Sequence, residues 1–158
     1  MAQQLSFREI RYLEKRQKIL ENAAKLFAKK GYENVSLEEI AAKLKLSKAS
    51  IYYYFKSKEE MSFMIQMQAI DQANSALARV LESKAESKEK LMDAIKGHVR
   101  IVTKDYFTGT FRQRELVLPS ELMVQVTAAR EKFEKNFHKI ILEAVADQPF
   151  DLLGLYPF

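Results

Sequence analysis

Cysteine and tryptophan are absent from the 158 residues, and glycine and proline are scarce at 4 and 3. Without a thiol, disulfides, thiolate catalysis and Cys-based zinc sites are excluded together, and the composition fits a reducing compartment. There is no run of about 18 uncharged apolar residues and no charged, apolar and small-residue succession at the start, so neither a membrane span nor a secretory signal is indicated. The cytoplasm is the expected location. Also lacking are a Gly-rich phosphate loop, a nucleophile elbow, an HExxH pair and two carboxylates isolated in an apolar setting. The sequence therefore offers no catalytic motif, although its abundant helical Glu leaves room for a hidden pair.

What is present is apolar material and a lopsided charge. Hydrophobic residues make up 47% of the chain, enough for the core of one domain or two small helical ones. Residues 1–60 carry 13 Lys and Arg against 8 Asp and Glu, whereas residues 61–158 carry 13 of each, so the whole net charge of +5 lies in the first part. Clustered cations suit phosphate contact and counterion release. A solvated face is the plainer alternative.

The apolar spacing is helical almost throughout. From Glu14 to Lys30, Ile19, Leu20, Ala23, Ala24, Phe27 and Ala28 recur at three and four, and Gly31 follows as a stop. Ser36 with Glu39 reads as a capping box opening a second short helix, Ser47 caps a third, and Ser57 with Glu60 forms another box. The third helix thus has little more than two turns. A long fourth helix is expected over Met61 to Leu81, a fifth from Ser87 to Lys104, a sixth around Thr110 to Leu118, and a seventh from Ser120 to Val145. No alternating strand, repeat or low-complexity tract interrupts them, and the expected fold class is all-α.

The third helix contains Tyr52, Tyr53 and Tyr54 in succession. At 100° per residue, Ile51 and Phe55 share its inner edge, and Ala49 and Tyr53 point the opposite way, flanked by Ser50 and Tyr54 on one side and Tyr52 on the other. Lys48 stands in the first turn, with Lys56 and Lys58 beyond the last. Small residues let a helix approach base edges, hydroxyls reach phosphates and lysines supply charge. Two short helices joined at Lys45 and Leu46 describe a helix-turn-helix.

The run LFAKKGYENVSLEEIAAKLKLSKASIYYYFKSKEEM resembles the DNA-binding domain of the tetracycline-repressor (TetR) family. The matching pieces are Leu26-Phe27-Ala28 with Gly31-Tyr32, the helix from Ser36 to Ala41, Ser47-Lys48, Ile51 to Phe55, and Lys56 to Glu60. The resemblance implies an N-terminal three-helix helix-turn-helix domain over residues 1–60 and a helical ligand-binding and dimerisation domain over 61–158, shortened relative to the family. It implies a homodimeric regulator, usually a repressor, that leaves a palindromic double-stranded DNA operator when a small apolar or amphiphilic effector binds, with no cofactor, metal or membrane partner. By the same resemblance Ser36, Lys48, Ala49, Ser50, Tyr52, Tyr53, Tyr54 and Lys58 would contact DNA. Lys45 stands where the family often has Gly, and a left-handed backbone there costs a side chain roughly 1 kcal/mol. Tyr54 stands where His is frequent. Two further helices build the dimer bundle in relatives, whereas this chain runs into FDLLGLYPF: either it pairs through the seventh helix and that tail, or it is a truncated or frame-altered version of a longer regulator.

For the effector, Met64 and Met67 with Tyr106, Phe107 and Phe111 form the candidate pocket, since Met adapts to irregular ligands. His98 is a candidate hydrogen-bonding partner and Arg112 suits an anionic amphiphile. Ordinary core for the apolar residues, and a surface or structural role for His98 and His138, are the plainer alternatives. An unrecognised enzyme and a helical interaction protein with a basic N-terminal region remain the competing function classes.

Overall fold

The computed structural model describes residues 5–103 and 118–147. Six helices account for most of them: α1 Phe7–Lys30, α2 Leu37–Lys43, α3 Lys48–Tyr54, α4 Lys58–Glu82, α5 Ser87–Val102 and α6 Ser120–Asp147. Among the described residues there is no strand, and no helix is long and apolar enough to cross a membrane.

The all-α expectation holds, with local differences that have physical causes. α1 begins two turns earlier than the apolar stripe suggests. Its N-cap is Ser6, whose hydroxyl accepts from the Glu9 amide while the Glu9 carboxylate accepts from the Ser6 amide. The added turns carry Phe7, Ile10 and Leu13 exposed, so no buried stripe announces them. At Ser36 and Ser57 only half of each expected box forms. Both hydroxyls accept from the amide three residues on. The Glu39 carboxylate, however, pairs with Lys30, and the Glu60 carboxylate turns to Arg16 and to the Lys56 amide. α4 starts at Lys58 rather than Met61, and α5 ends at Val102 rather than Lys104. The expected sixth helix falls on residues 110–117, outside the described residues, apart from Leu118, which is buried and non-helical. The expected seventh is α6.

The α2–α3 turn is a Schellman motif. The Leu46 amide donates to the Ala41 carbonyl and the Lys45 amide to that of Ala42. Lys45 takes φ 55°, the one positive φ at a non-glycine among the described residues. The left-handed conformation expected from the missing glycine is therefore adopted by a lysine.

α4 carries the core from one end of the molecule to the other. Its first half, through Met61, Ile65 and Ile70, joins a cluster with Ile19, Leu20, Phe27, Ile40, Ile51 and Phe55, which also takes in Leu118 and Val126. Ala69, Ala73 and Leu77 of the same helix go to two smaller clusters with Ala94 and Ile101 of α5 and Phe133, Phe137 and Ile140 of α6. Polar ties fix the helices in register. Gln68 donates to Gln17 of α1 at 2.8 Å and Asn74 to the Ala129 carbonyl of α6 at 3.1 Å. Burying each of the large apolar side chains at these contacts is worth about 1.5–3 kcal/mol, so α1, α3 and α6 are all held to the same rod.

Candidate nucleic-acid interface

α3 is only seven residues long, too short to be stable by propensity alone. Two anchors hold it. Ile51 and Phe55 are 0% and 1% exposed against α1, α2 and α4, and the Ser47 hydroxyl accepts from the Ser50 amide. With that edge buried, the opposite side of the helix faces out, as the wheel indicates. Tyr53 is 65% exposed, Lys48 and Ala49 are exposed, and Ser50 is half-buried with its hydroxyl 2.8 Å from that of Ser47.

The three tyrosines do not stand alone. Tyr12 of α1 stacks on Tyr54 with ring centres 5.1 Å apart and planes at 26°, and it meets Tyr53 edge-on at 5.6 Å. Tyr53 and Tyr54 are themselves edge to face at 5.1 Å. Such pairs are worth about 0.5–1.5 kcal/mol beyond area burial and fix ring angles. Tyr54 is accordingly half-buried against the head's core. The phenol of Tyr52 leaves this cluster and donates to Glu38 Oε1 of α2 at 3.1 Å. Lys48 Nζ pairs with the same oxygen at 3.0 Å and lies 5.8 Å from the Tyr52 ring centre. The hydrogen bond from Lys48, then Glu38's own backbone amide and the Tyr52 hydroxyl, lower the pKa of the Glu38 carboxyl from its ordinary value, and Glu38 in turn raises that of the Lys48 ammonium.

Beside this triad lies an open groove of about 530 Å³, between the start of α2 and the start of α4, lined by Ser36, Glu38, Tyr52, Lys56 and Lys58 among others. Lys58 is half-buried. Its Nζ donates to the Tyr32 carbonyl at 3.0 Å and sits 4.1 Å from the Tyr32 ring centre, a cation–π contact. The Tyr32 hydroxyl donates to Glu59, and burial, then the Glu59 charge, pushes its pKa well above the ordinary phenol value.

Arg16 of α1 closes the far end of α3. Its Nη2 donates to Glu60 Oε1 at 3.0 Å, its guanidinium carbon lies 4.9 Å from the Phe55 ring centre, and its Nε reaches the Tyr54 carbonyl at 3.5 Å. Glu60 Oε2 meanwhile accepts from the Lys56 amide at 2.8 Å. One arginine thus links α1, the last residues of α3 and the first turn of α4. Tyr12, Arg16, Glu38 and Glu60 are the members that sequence reasoning missed. Tyr12 and Arg16 are four residues apart and so share a helix face, a signal lost when the helix is started at Glu14. Glu38 looks like an ordinary acid in a first helical turn.

Met64 and Met67 are half-buried and pack on the first core cluster. His98 lies with Phe133 and Phe137, at ring-centre distances of 5.2 and 6.2 Å, beside the other two clusters. Its Nδ1 is buried without a hydrogen-bond partner, and burial holds its pKa below the ordinary value. Tyr106, Phe107, Phe111 and Arg112 lie outside the described residues. A separate open groove of about 400 Å³ between α4 and α5 is lined by Asp71, Arg79 and Arg100.

Comparison with known proteins bears on what such an arrangement does. Residues 19–63 match the family described as bacterial regulatory proteins, tetR family. The chain is 52% identical over 48 residues to the HTH-type transcriptional regulator YuxN of Bacillus subtilis, covering 30% of this chain and 16% of YuxN. It is 43% identical over 44 residues to the biofilm operon icaADBC HTH-type negative transcriptional regulator IcaR of Staphylococcus epidermidis, covering 28% of this chain and 24% of IcaR. The matches to these curated relatives therefore span less than a quarter of their length. Among solved structures, a TetR family transcriptional regulator, PfmR from Thermus thermophilus, superposes with a TM-score of 0.76 at 37% identity over 85% of this chain and 73% of that one.

Proposed function

The chain belongs to the TetR family of regulators, and from that premise we propose that it is a DNA-binding repressor which leaves a palindromic operator when a small apolar or amphiphilic effector binds. The observation that carries the reading is the outer face of α3: an exposed phenol, Tyr53, beside Ala49 and Lys48, on a helix pinned from behind by Ile51 and Phe55. In this reading Lys48, Ala49, Ser50 and Tyr53 enter the major groove. Small side chains admit the helix to base edges, and the first-turn lysine reaches them. Ser36, Tyr52, Tyr54 and Lys58 face the phosphate backbone and set the register without reading sequence.

The division between head and effector domain falls at about residue 60, inside the first turn of α4. α4 then belongs to both, which gives a ligand in the body a rigid element that ends beside α3. Met64, Met67 and His98, with Tyr106, Phe107, Phe111 and Arg112, are the residues proposed to meet the effector. A homodimer supplies the two heads that a palindrome requires. The description of IcaR as a negative regulator favours repression over activation.

The test is gel retardation with DNA from beside the chain's own coding region and a shuffled duplex of equal length, at two salt concentrations. Sequence-dependent retardation that persists at the higher salt is expected. Equal retardation of both duplexes, vanishing together as salt rises, would reduce the chain to a non-specific polyanion binder.

A further inference from the structure

One carboxylate oxygen in the head holds two side chains that face the backbone or bases in the proposed complex, and it carries the charge that DNA carries. Glu38 Oε1 accepts from the Tyr52 hydroxyl at 3.1 Å and pairs with Lys48 Nζ at 3.0 Å. The two donors come from successive turns of α3, four residues apart, and converge on one anionic oxygen supplied by α2. That convergence is how a hydroxyl and an ammonium hold a phosphate oxygen. Glu38 also lines the groove that Lys56 and Lys58 line. We propose that Glu38 is a stand-in for a DNA phosphate: in the free protein it holds Lys48 and Tyr52 in their DNA-ready arrangement, and the duplex must displace it to take them.

The inference rests on the DNA-binding reading and adds a residue of opposite sign to it. Lys48 and Glu38 are 72% and 46% exposed as side chains. A pair so open to water is weak, so a phosphate of the duplex can win the exchange. Glu38 therefore does not block binding. On arbitrary duplexes it lowers affinity, because Lys48 must give up one anion before it can take another. On a duplex of arbitrary sequence Lys48 has no cognate base edge to reach, so there the exchange is with a phosphate alone. The consequence is a head that pre-forms its contact geometry yet is held less tightly on arbitrary DNA than its charge alone would dictate.

The Glu38→Gln variant, which keeps the side chain's shape and removes its charge, tests this against a duplex of arbitrary sequence. Because the duplex takes Lys48 in the parent as well, the number of phosphates contacted and the salt slope stay the same, and removing the rival anion tightens binding by roughly 1.5- to 5-fold, the worth of an exposed ion pair. In a Lys48→Met background the same Glu38→Gln change leaves the affinity unaltered. An unchanged or weakened affinity overturns the stand-in, and weakened affinity would make Glu38 a positioning residue for Lys48. An equal gain in affinity with and without Lys48 overturns it too, since the carboxylate would then act only as bulk charge. A shift in base preference at one position would make Glu38 a base reader instead. A folded parent that binds no duplex at all overturns the DNA-binding reading itself, whereas a parent that binds and a variant that gains nothing overturns only the exchange.

Discussion

Replacing Arg16 by Ala removes three contacts at once. The ion pair with Glu60 at 3.0 Å has side chains 23% and 32% exposed, so solvent reduces it to about 0.5–1 kcal/mol. The guanidinium over Phe55 at 4.9 Å adds about 0.5–1 kcal/mol at a partly covered site. The Nε contact with the Tyr54 carbonyl, at 3.5 Å, is too long to add much. The expected loss is about 1–2 kcal/mol in urea denaturation with an unchanged slope. Arg16→Lys should fall between, retaining a charge for Glu60 but no planar group to lie on the ring. Because these contacts converge on the C-terminal end of α3, both variants should also weaken binding to cognate DNA more than to a shuffled duplex. A stability loss below about 0.5 kcal/mol for the alanine variant, with DNA affinity intact, would refute the view that α1 sets the position of α3 through this side chain.

Three further outcomes are expected. Tyr53→Phe should weaken cognate binding by about 1–2 kcal/mol while leaving the melting temperature in place, because the ring packing on Tyr12 and Tyr54 survives and only the hydroxyl is lost; unchanged affinity would remove Tyr53 from the contact set. Lys45→Gly relieves the side-chain strain at φ 55° and should stabilise the fold by up to about 1 kcal/mol, read as a rise in melting temperature, whereas destabilisation would deny that strain. His98 has a folded pKa below its unfolded value of 6.5, so the unfolded chain takes up its proton first. Stability attributable to it is intact above pH 6.5 and declines as pH falls through the folded pKa; in His98→Asn the melting temperature should depend less on pH over that window.

Much of this architecture is legible in the sequence because its helices announce themselves by local chemistry. Ser36, Ser47 and Ser57 each cap the helix expected of them, and the buried positions of α3 follow from a wheel, since Ile51 and Phe55 lie about 40° apart on it. What escaped depends on contacts distant in sequence. The carboxylate of Glu60 is expected back on its own N-cap, yet Arg16, 44 residues away, draws it off. Glu39 is likewise taken by Lys30 of the preceding helix. The stacking of Tyr12 under Tyr54 joins two helices far apart in the chain and has no periodic signature. Glu38 shows the same limit from the other side: its place in the first turn of α2 is readable, its capture of Lys48 and Tyr52 is not. The candidate effector residues are least legible, because Met and Phe at helical spacing look alike whether they pack against a core or line a cavity.

The central claim, that the outer face of α3 reads a duplex sequence, is tested most directly by selecting bound duplexes from a random-sequence pool with the full chain and sequencing them. The account predicts enrichment of a pseudo-palindrome whose half-sites lie about one helical turn, or a small multiple of it, apart, with a half-site that changes when Lys48 or Ala49 is replaced. Recovery of a pool no different from its input, from a folded protein that retains DNA at low salt, would contradict it.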